Sequence, residues 1–302
     1  NMSVLIDNLA YNSYITAYNS NMVANEVFID SATLRENVAA LARNVGYVPR
    51  SKKSAKAQVS FFVDTSNYSV APLTLTLKAG IVAVSNTFSS ENYSFAIMND
   101  ITVPVVNNIA EFTNVDIYEG SYLTKTFTYR ETGDGVPIEK FILPNDGIDT
   151  STIKVTVSPN STATNLKTVY KLTDNIIDVN NNSLIFLLQE ASDEKYEILF
   201  GDGKFGKKLE DSNFINVHYI STNGKDANGV NSFTFTGNIQ DNSGVTVTEG
   251  ISLLTTIDSA RNGADIETVQ SIKKYAPLVY SAQNRAVTAD DYKAIVTKIY
   301  SN

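Results

Sequence analysis

Along the chain, apolar residues change their spacing twice, from a helical period to a period of two and back again. From Tyr11 the positions Tyr14, Ile15, Tyr18 and Met22 recur at helical spacing, while Asn8, Asn12, Thr16 and Asn19 fall elsewhere on the wheel, which predicts an amphipathic helix. A second helix is predicted from the stripe Leu34, Val38, Leu41, Ala42 and Val45. A capping box of Thr33 and Glu36 starts it, with Ser31 as a rival cap, and Gly46 then Pro49 end it. Beyond the basic stretch Arg50 to Lys56 the alternation becomes strand-like. Leu73, Leu75 and Leu77 show it, as do Phe127 and Tyr129, Ile153, Val155 and Val157, Phe233 and Phe235, and Val245 and Val247. Turn-forming clusters at Gly133-Asp134-Gly135, Asn145-Asp146-Gly147, Asn223-Gly224, Asn228-Gly229 and Asn242-Ser243-Gly244 separate these strands. Helical spacing then returns. Asp265 is expected to cap a helix carrying Ile266, Val269, Ile272 and Tyr275 that Pro277 closes, and Thr288 with Asp291 forms a capping box for Ala289, Tyr292, Ile295, Val296 and Ile299.

The fold expected from this pattern is α+β and mainly β, with antiparallel strand-rich middle domains flanked by N- and C-terminal helices. Four segments are expected: a helical segment 1–56, a first β-rich domain 57–148, a second 149–258, and a C-terminal helical segment 259–302. The last stops just after a helical pattern, and the expectation is that it continues in a longer chain.

Composition narrows the functions. A chain of 302 residues with 43% hydrophobic and 19% charged residues can bury a sizeable core, to which 16 Tyr and 14 Phe contribute most of the aromatic area. A formal charge of −8 opposes binding to nucleic acid or to an anionic membrane, and no stretch has the length and apolarity for stable membrane insertion. The absence of Cys removes thiol catalysis, thiolate metal sites and disulfides.

Three motifs invite chemistry. Gly201-Asp202-Gly203-Lys204-Phe205-Gly206 spells a dinucleotide fingerprint after the strand-like Tyr196 to Phe200. The residues after it lead into another strand, Phe214 to Ile220, and not into the helix whose N-terminus would face a pyrophosphate, so a glycine-rich β turn is expected. His218 is the sole histidine, lacks a Cys or His partner for a metal, and is expected to face away from Ile215, Val217 and Tyr219. Glu131, Asp134 and Glu139 cluster at a glycine-rich turn, where solvated acids are common. Catalytic, cofactor and metal residues are accordingly expected to be none, and the basic run Arg50, Lys52, Lys53 and Lys56 reads as a solvated connector.

Three blocks carry a resemblance. They are Thr33-Leu34-Arg35-Glu36-Asn37 through Val45-Gly46-Tyr47-Val48-Pro49-Arg50-Ser51 and Ala55; Tyr196-Glu197-Ile198 through Gly206, with Tyr219, Thr222, Asn223-Gly224 and Asn228-Gly229; and Gly263-Ala264-Asp265-Ile266-Glu267, Ile272 to Pro277, then Gln283 to Tyr292. In this order they resemble the baseplate J family, specifically the wedge proteins of large myovirus-type phages. The resemblance implies a non-enzymatic structural subunit of the virion tail baseplate, assembled in the host cytoplasm. It implies copies paired with each other within a six-fold ring around the tail hub, in contact with other wedge and hub proteins and able to follow the contraction-linked shape change.

Association of that kind needs apolar surface left over after folding. The expected interface residues are Tyr11, Tyr14, Ile15, Tyr18, Leu34, Val38, Leu41, Tyr292, Ile295 and Ile299; the alternative for each stripe is packing on the chain's own core. Two other functions remain open at this level: a glycan-binding or adhesive β module, and a tail-associated glycosidase using acids such as Glu131 and Asp134.

Overall fold

The computed structural model describes residues 2–68, 71–131, 140–163, 165–173, 179–282, 285–289, 291–293 and 296. The chain forms two compact units, one made of Asn1–Arg50 with Glu267–Ser301 and the other of Ser51–Ile266.

The first unit contains α1 (Met2–Glu26), α2 (Arg35–Asn44) and α3 (Val269–Ala282). Its core is the inward stripe of α2, Val38 and Ala42, with Ala32 and Tyr47, packed on Ile272, Ala276 and Val279 of α3. At the end of α2 Gly46 adopts φ +82°, and Tyr47 N–H bonds Ala42 O, which stops the helix where the sequence predicts. The start differs from expectation. Leu34 occupies the cap position without a side-chain bond, and the Thr33/Glu36 box does not form. The Glu26 carboxylate accepts from Thr33 N–H (2.8 Å), Thr33 Oγ1 (2.6 Å), Leu34 N–H (3.3 Å) and Asn37 Nδ2 (2.8 Å), while Ser31 Oγ donates to Asn25 O. A charged acceptor delivered by the preceding helix outcompetes the local hydroxyl.

α3 also departs from its sequence reading at both ends. Asp265 pairs with Lys225 and not with the start of α3; Thr268 takes that role, its Oγ1 accepting from Ser271 N–H. Pro277 lies inside the helix, not at its end. Its ring sits on the exposed face, opposite the buried Ile272, Ala276, Val279 and Ala282, so the carbonyl deprived of an N–H partner meets water while the packed face holds the helix together. Further on, the box of Thr288 and Asp291 forms as expected: Asp291 Oδ2 accepts from Thr288 N–H (2.8 Å) and Thr288 Oγ1 from Asp291 N–H (3.2 Å).

The second unit is built from strands. In chain order they are β1 (Lys56–Asp64), β2 (Thr74–Leu77), β3 (Gly80–Ser85), β4 (Ser94–Ile97), β5 (Ile101–Val106), β6 (Ile109–Glu119), then β7 (Ser121–Thr128), β8 (Phe141–Ile142), β9 (Lys154–Ser158), β10 (Thr168–Leu172), β11 (Ile185–Glu190), β12 (Tyr196–Phe200), β13 (Phe214–Ser221), and finally β14 (Phe233–Phe235), β15 (Ile239–Asp241), β16 (Thr246–Val247) and β17 (Thr255–Arg261). The first six and last four make one sheet in the order β14-β3-β4-β6-β5-β2-β15-β16, with β1 between β6 and β17; the middle seven make a second, β7-β13-β9-β10-β11-β12-β8. All the pairings are antiparallel except β10 with β11. Alternation places Phe61, Phe95, Phe112, Leu75 and Leu77 in one core, where Phe61 stacks on Phe112 at 4.7 Å, and Phe141, Phe186, Ile198, Val217 and Tyr219 in the other.

The sheets divide the chain differently from the segments drawn at 148/149 and 258/259, because β14–β17 return to the first sheet. The chain therefore passes between sheets twice, from β6 to β7 and after β13, and the passages touch. Gly120 has φ +130°, and a Cβ there would lie 2.4 Å from Ser221 O and 2.5 Å from Ile220 Cγ2, so both the backbone angle and the close approach demand glycine.

Candidate interaction surface

Residues 2–26 contain neither Gly nor Pro, and they form a 25-residue helix none of whose residues is buried. At about 1.5 Å per residue α1 is roughly 37 Å long. Tyr11, Tyr14 and Tyr18 are 64%, 67% and 53% exposed, with Ile15 half-buried among them. Val4 and Met22 extend the same line in both directions. A second stripe, Met2, Leu5, Ile6 and Leu9, covers another side of the first turns and is equally exposed. That stripe has its own i, i+3, i+4, i+7 spacing, a signal present in the sequence upstream of Tyr11.

Leu34 is exposed and so is Tyr292. Val38 is a correction: it is fully buried in the core of its own unit, and Leu41 packs against the same cluster, because α2 turns that stripe toward α3. Ile295 and Ile299 lie outside the described residues. No helix among the described residues is long and apolar enough to cross a membrane.

The motif blocks are joined by buried carboxylates that sequence reasoning left unassigned. In the first unit Glu267, 3% exposed, accepts from Tyr47 Oη (2.7 Å), Arg50 N–H (3.1 Å) and Ser271 Oγ (2.6 Å), with Arg50 Nε at 3.6 Å, an ion pair too long to be a hydrogen bond. Burial, and then the neighbouring Glu267 carboxylate, push the Tyr47 hydroxyl well above its ordinary range. In the second unit Glu119 accepts from Thr222 Oγ1, Asn223 N–H (3.2 Å) and Asn223 Nδ2 (3.0 Å). Burial raises its pKa; these bonds and the charge of Lys52 oppose the rise. Nearby, Asn228 and Gly263 exchange two bonds, Nδ2 to Gly263 O at 2.8 Å and Gly263 N–H to Oδ1 at 2.9 Å, and Asp149 Oδ2 accepts from Ser54 N–H at 2.8 Å. These polar side chains hold the fold.

The other candidates fall into place similarly. Gly201 and Gly206 face each other, a Cβ on the former lying 2.3 Å from the latter's carbonyl carbon, and Asp202 accepts from the Lys204 and Phe205 amides; the loop returns toward β13 without opening a helix. His218 turns away from Ile215, Val217 and Tyr219, pairs with Thr124 Oγ1 at 2.9 Å and stacks on Tyr122; burial, then Lys154 and Lys167, lower its pKa. Glu131 is bound by Lys208 (2.9 Å) and Tyr129 (3.1 Å), which hold its carboxyl below the usual range, the opposite of what a protonated general acid requires. Asp134 and Glu139 lie outside the described residues. The basic run is partly solvated, with Lys53 exposed and the Lys56 side chain 43% exposed, and three of its members have partners. Arg50 faces Glu267, Lys53 forms a backbone bridge with Ala264, and Lys56 pairs with Asp116 at 2.8 Å.

The architecture is thus that of an α+β, mainly β chain, and no residue of its apolar helix α1 is buried. No family model matches the chain. It is similar along its whole length to the baseplate wedge protein gp6 of Enterobacteria phage T4, at 23% identity over 317 residues, as a distant homologue; the chain spans 46% of that protein's length.

Proposed function

We propose that this chain is a non-enzymatic structural subunit of a phage tail baseplate wedge, related to the baseplate J family. It contributes to a ring around the tail hub, in pairs with its own copies and in contact with other wedge and hub proteins, and follows the shape change of contraction. It resides in the virion tail and is assembled in the host cytoplasm. The full-length similarity to a baseplate wedge protein supports the class. The observation that carries the mode of action is α1, whose apolar stripes are not buried among the described residues. Covering such a helix by another helical surface is the ordinary way of removing that apolar area from water.

The test is the solution mass of the intact chain, alone and mixed with wedge partners, beside the triple variant Tyr11→Asp, Ile15→Asp, Tyr18→Asp. The intact chain is expected to form multimers that the variant does not, with unchanged unfolding of the remainder because none of the three residues is buried. An intact chain that stays a monomer in both mixtures refutes the proposal.

A further inference from the structure

In the first sheet β5 and β6 form a hairpin whose turn, Asn107-Asn108, has φ of 51° and 63°, the left-handed pair that a tight two-residue turn demands. The hairpin pairs at Val106 with Ile109 and at Val105 with Ala110, and goes no further. Val105 N–H points the other way, to Leu73 O at 3.0 Å, so by alternation the backbone of residue 104 faces β6. The next rung would set that residue opposite Glu111, and it is Pro104, which has no N–H to donate. β5 therefore leaves β6 and pairs with β2 over Ile101–Pro104. On this side β6 is not paired again until Tyr118 and Glu119 meet β4. β1 covers the opposite side from Ile109 to Tyr118 with a bulge at Thr113 and Asn114, where Asn114 has φ 53°, so among the described residues Glu111 to Ile117 present an open backbone edge interrupted by that bulge.

That split is the floor of a cleft of about 850 Å³. It is lined by Ile101, Val103, Glu111 and Thr113 of the first sheet and by Ile153 together with Val169, Lys171 and Leu172 of β10. Val169 and Leu172 both line this cleft and are 52% and 47% exposed. Neither Glu111 nor Lys171 has an ion-pair partner among the described residues. A sugar would require an exposed aromatic face. Phe112 and Tyr170 are buried in their cores, and Lys56 lies over the Tyr118 ring at 5.8 Å.

We propose that this cleft receives an extended segment of a partner polypeptide, which adds to the open edge of β6 as a strand. Glu111 and Thr113 offer backbone N–H and C=O groups to it. Alternate aliphatic side chains of the segment enter between Val103 and Val169, while a basic residue meets Glu111 and an acidic one meets Lys171. At about 3.4 Å per residue, the stretch from Glu111 to Ile117 accommodates roughly six residues. This interface is distinct from α1 and does not depend on it.

Displayed random linear hexapeptides, selected against the purified full chain, test the proposal. The expected winners alternate Val, Ile or Thr and carry one basic and one acidic residue, and the winning peptide slows amide exchange in Glu111–Ile117. Val169→Glu, at an exposed position, should weaken the selected peptide at least tenfold without altering exchange in β1, and Glu111→Lys should switch the selected basic residue to an acidic one. No enrichment, or winners indifferent to both variants, would overturn the idea. So would glycan binding that Val169→Glu abolishes.

Discussion

Removing the Glu267 carboxylate should loosen α2 and α3 while leaving the sheets untouched. Three donors, Tyr47 Oη, Arg50 N–H and Ser271 Oγ, converge on this group at 2.6 to 3.1 Å, and the guanidinium of Arg50 stands 3.6 Å away. A hydrogen bond to a charged acceptor contributes about 1.5–3 kcal/mol, so the sum of three would overshoot, because freed donors recover part of it from water. Breaking a buried ionic cluster by truncating one member costs about 3–5 kcal/mol, and Glu267→Ala belongs at that level. Tyr47→Phe removes a single donor and should cost about 1–2 kcal/mol. Because the two units need not unfold together, the suitable assay is amide hydrogen exchange by peptide. At 1.4 kcal/mol per decade, exchange in Arg35–Asn44 and Val269–Ala282 should accelerate by roughly two to three and a half orders of magnitude in Glu267→Ala, up to the ceiling set by global opening of that unit. The peptides of β1 and β6 should not change. Protection of α3 within threefold of the parent would refute the assignment of Glu267 as the clasp of the helical unit.

Glu26 should titrate near 2, because the Thr33 hydroxyl, then the Asn37 amide and the Thr33 backbone, bond its ionised form. With the folded value depressed, its contribution is present above the ordinary carboxylate value of 4.5 and is lost as pH falls from there toward 2; a carboxyl-carbon NMR titration checks the midpoint, and an unshifted one contradicts the cap. Gly120→Ala should destabilise the second unit by about 3 kcal/mol or more in urea unfolding, whereas Gly244→Ala, at φ +81° with open space around it, should cost only about 1 kcal/mol. His218 should lose its proton below the ordinary 6.5, its charged form being disfavoured by burial and by Lys154 and Lys167. A ring-proton NMR titration with a midpoint above 6.5 would contradict that environment.

Local pattern was a good guide where the deciding contacts are local. The period of two at Leu75 and Leu77, at Val155 and Val157 and along Ile215 to Tyr219 marks strands and names the inward residues, since a strand's two faces alternate whatever it pairs with. Gly46 and the Thr288/Asp291 box likewise worked as written, each needing only residues within a turn. The loop Gly201 to Gly206 was legible as a turn for the same reason, since the residues directly after Gly206 carry no helix-opening pattern.

Tertiary structure decided everything that depends on which distant segment arrives. Glu26 displaced Thr33 as the cap of α2 because α1 ends beside it, and Val38 went inward because α3, more than 200 residues later, supplied its partner. The return of β14–β17 to the first sheet, the parallel pairing of β10 with β11, and the meeting of Tyr47 with Glu267 come from the choice among many strands and helices of similar local pattern. No periodicity encodes that choice, which is made by the total apolar area and the polar groups satisfied when the chain closes. The exposure of α1 belongs here too: its stripes spell a packed helix, and only the finished fold shows that none of its described residues is buried.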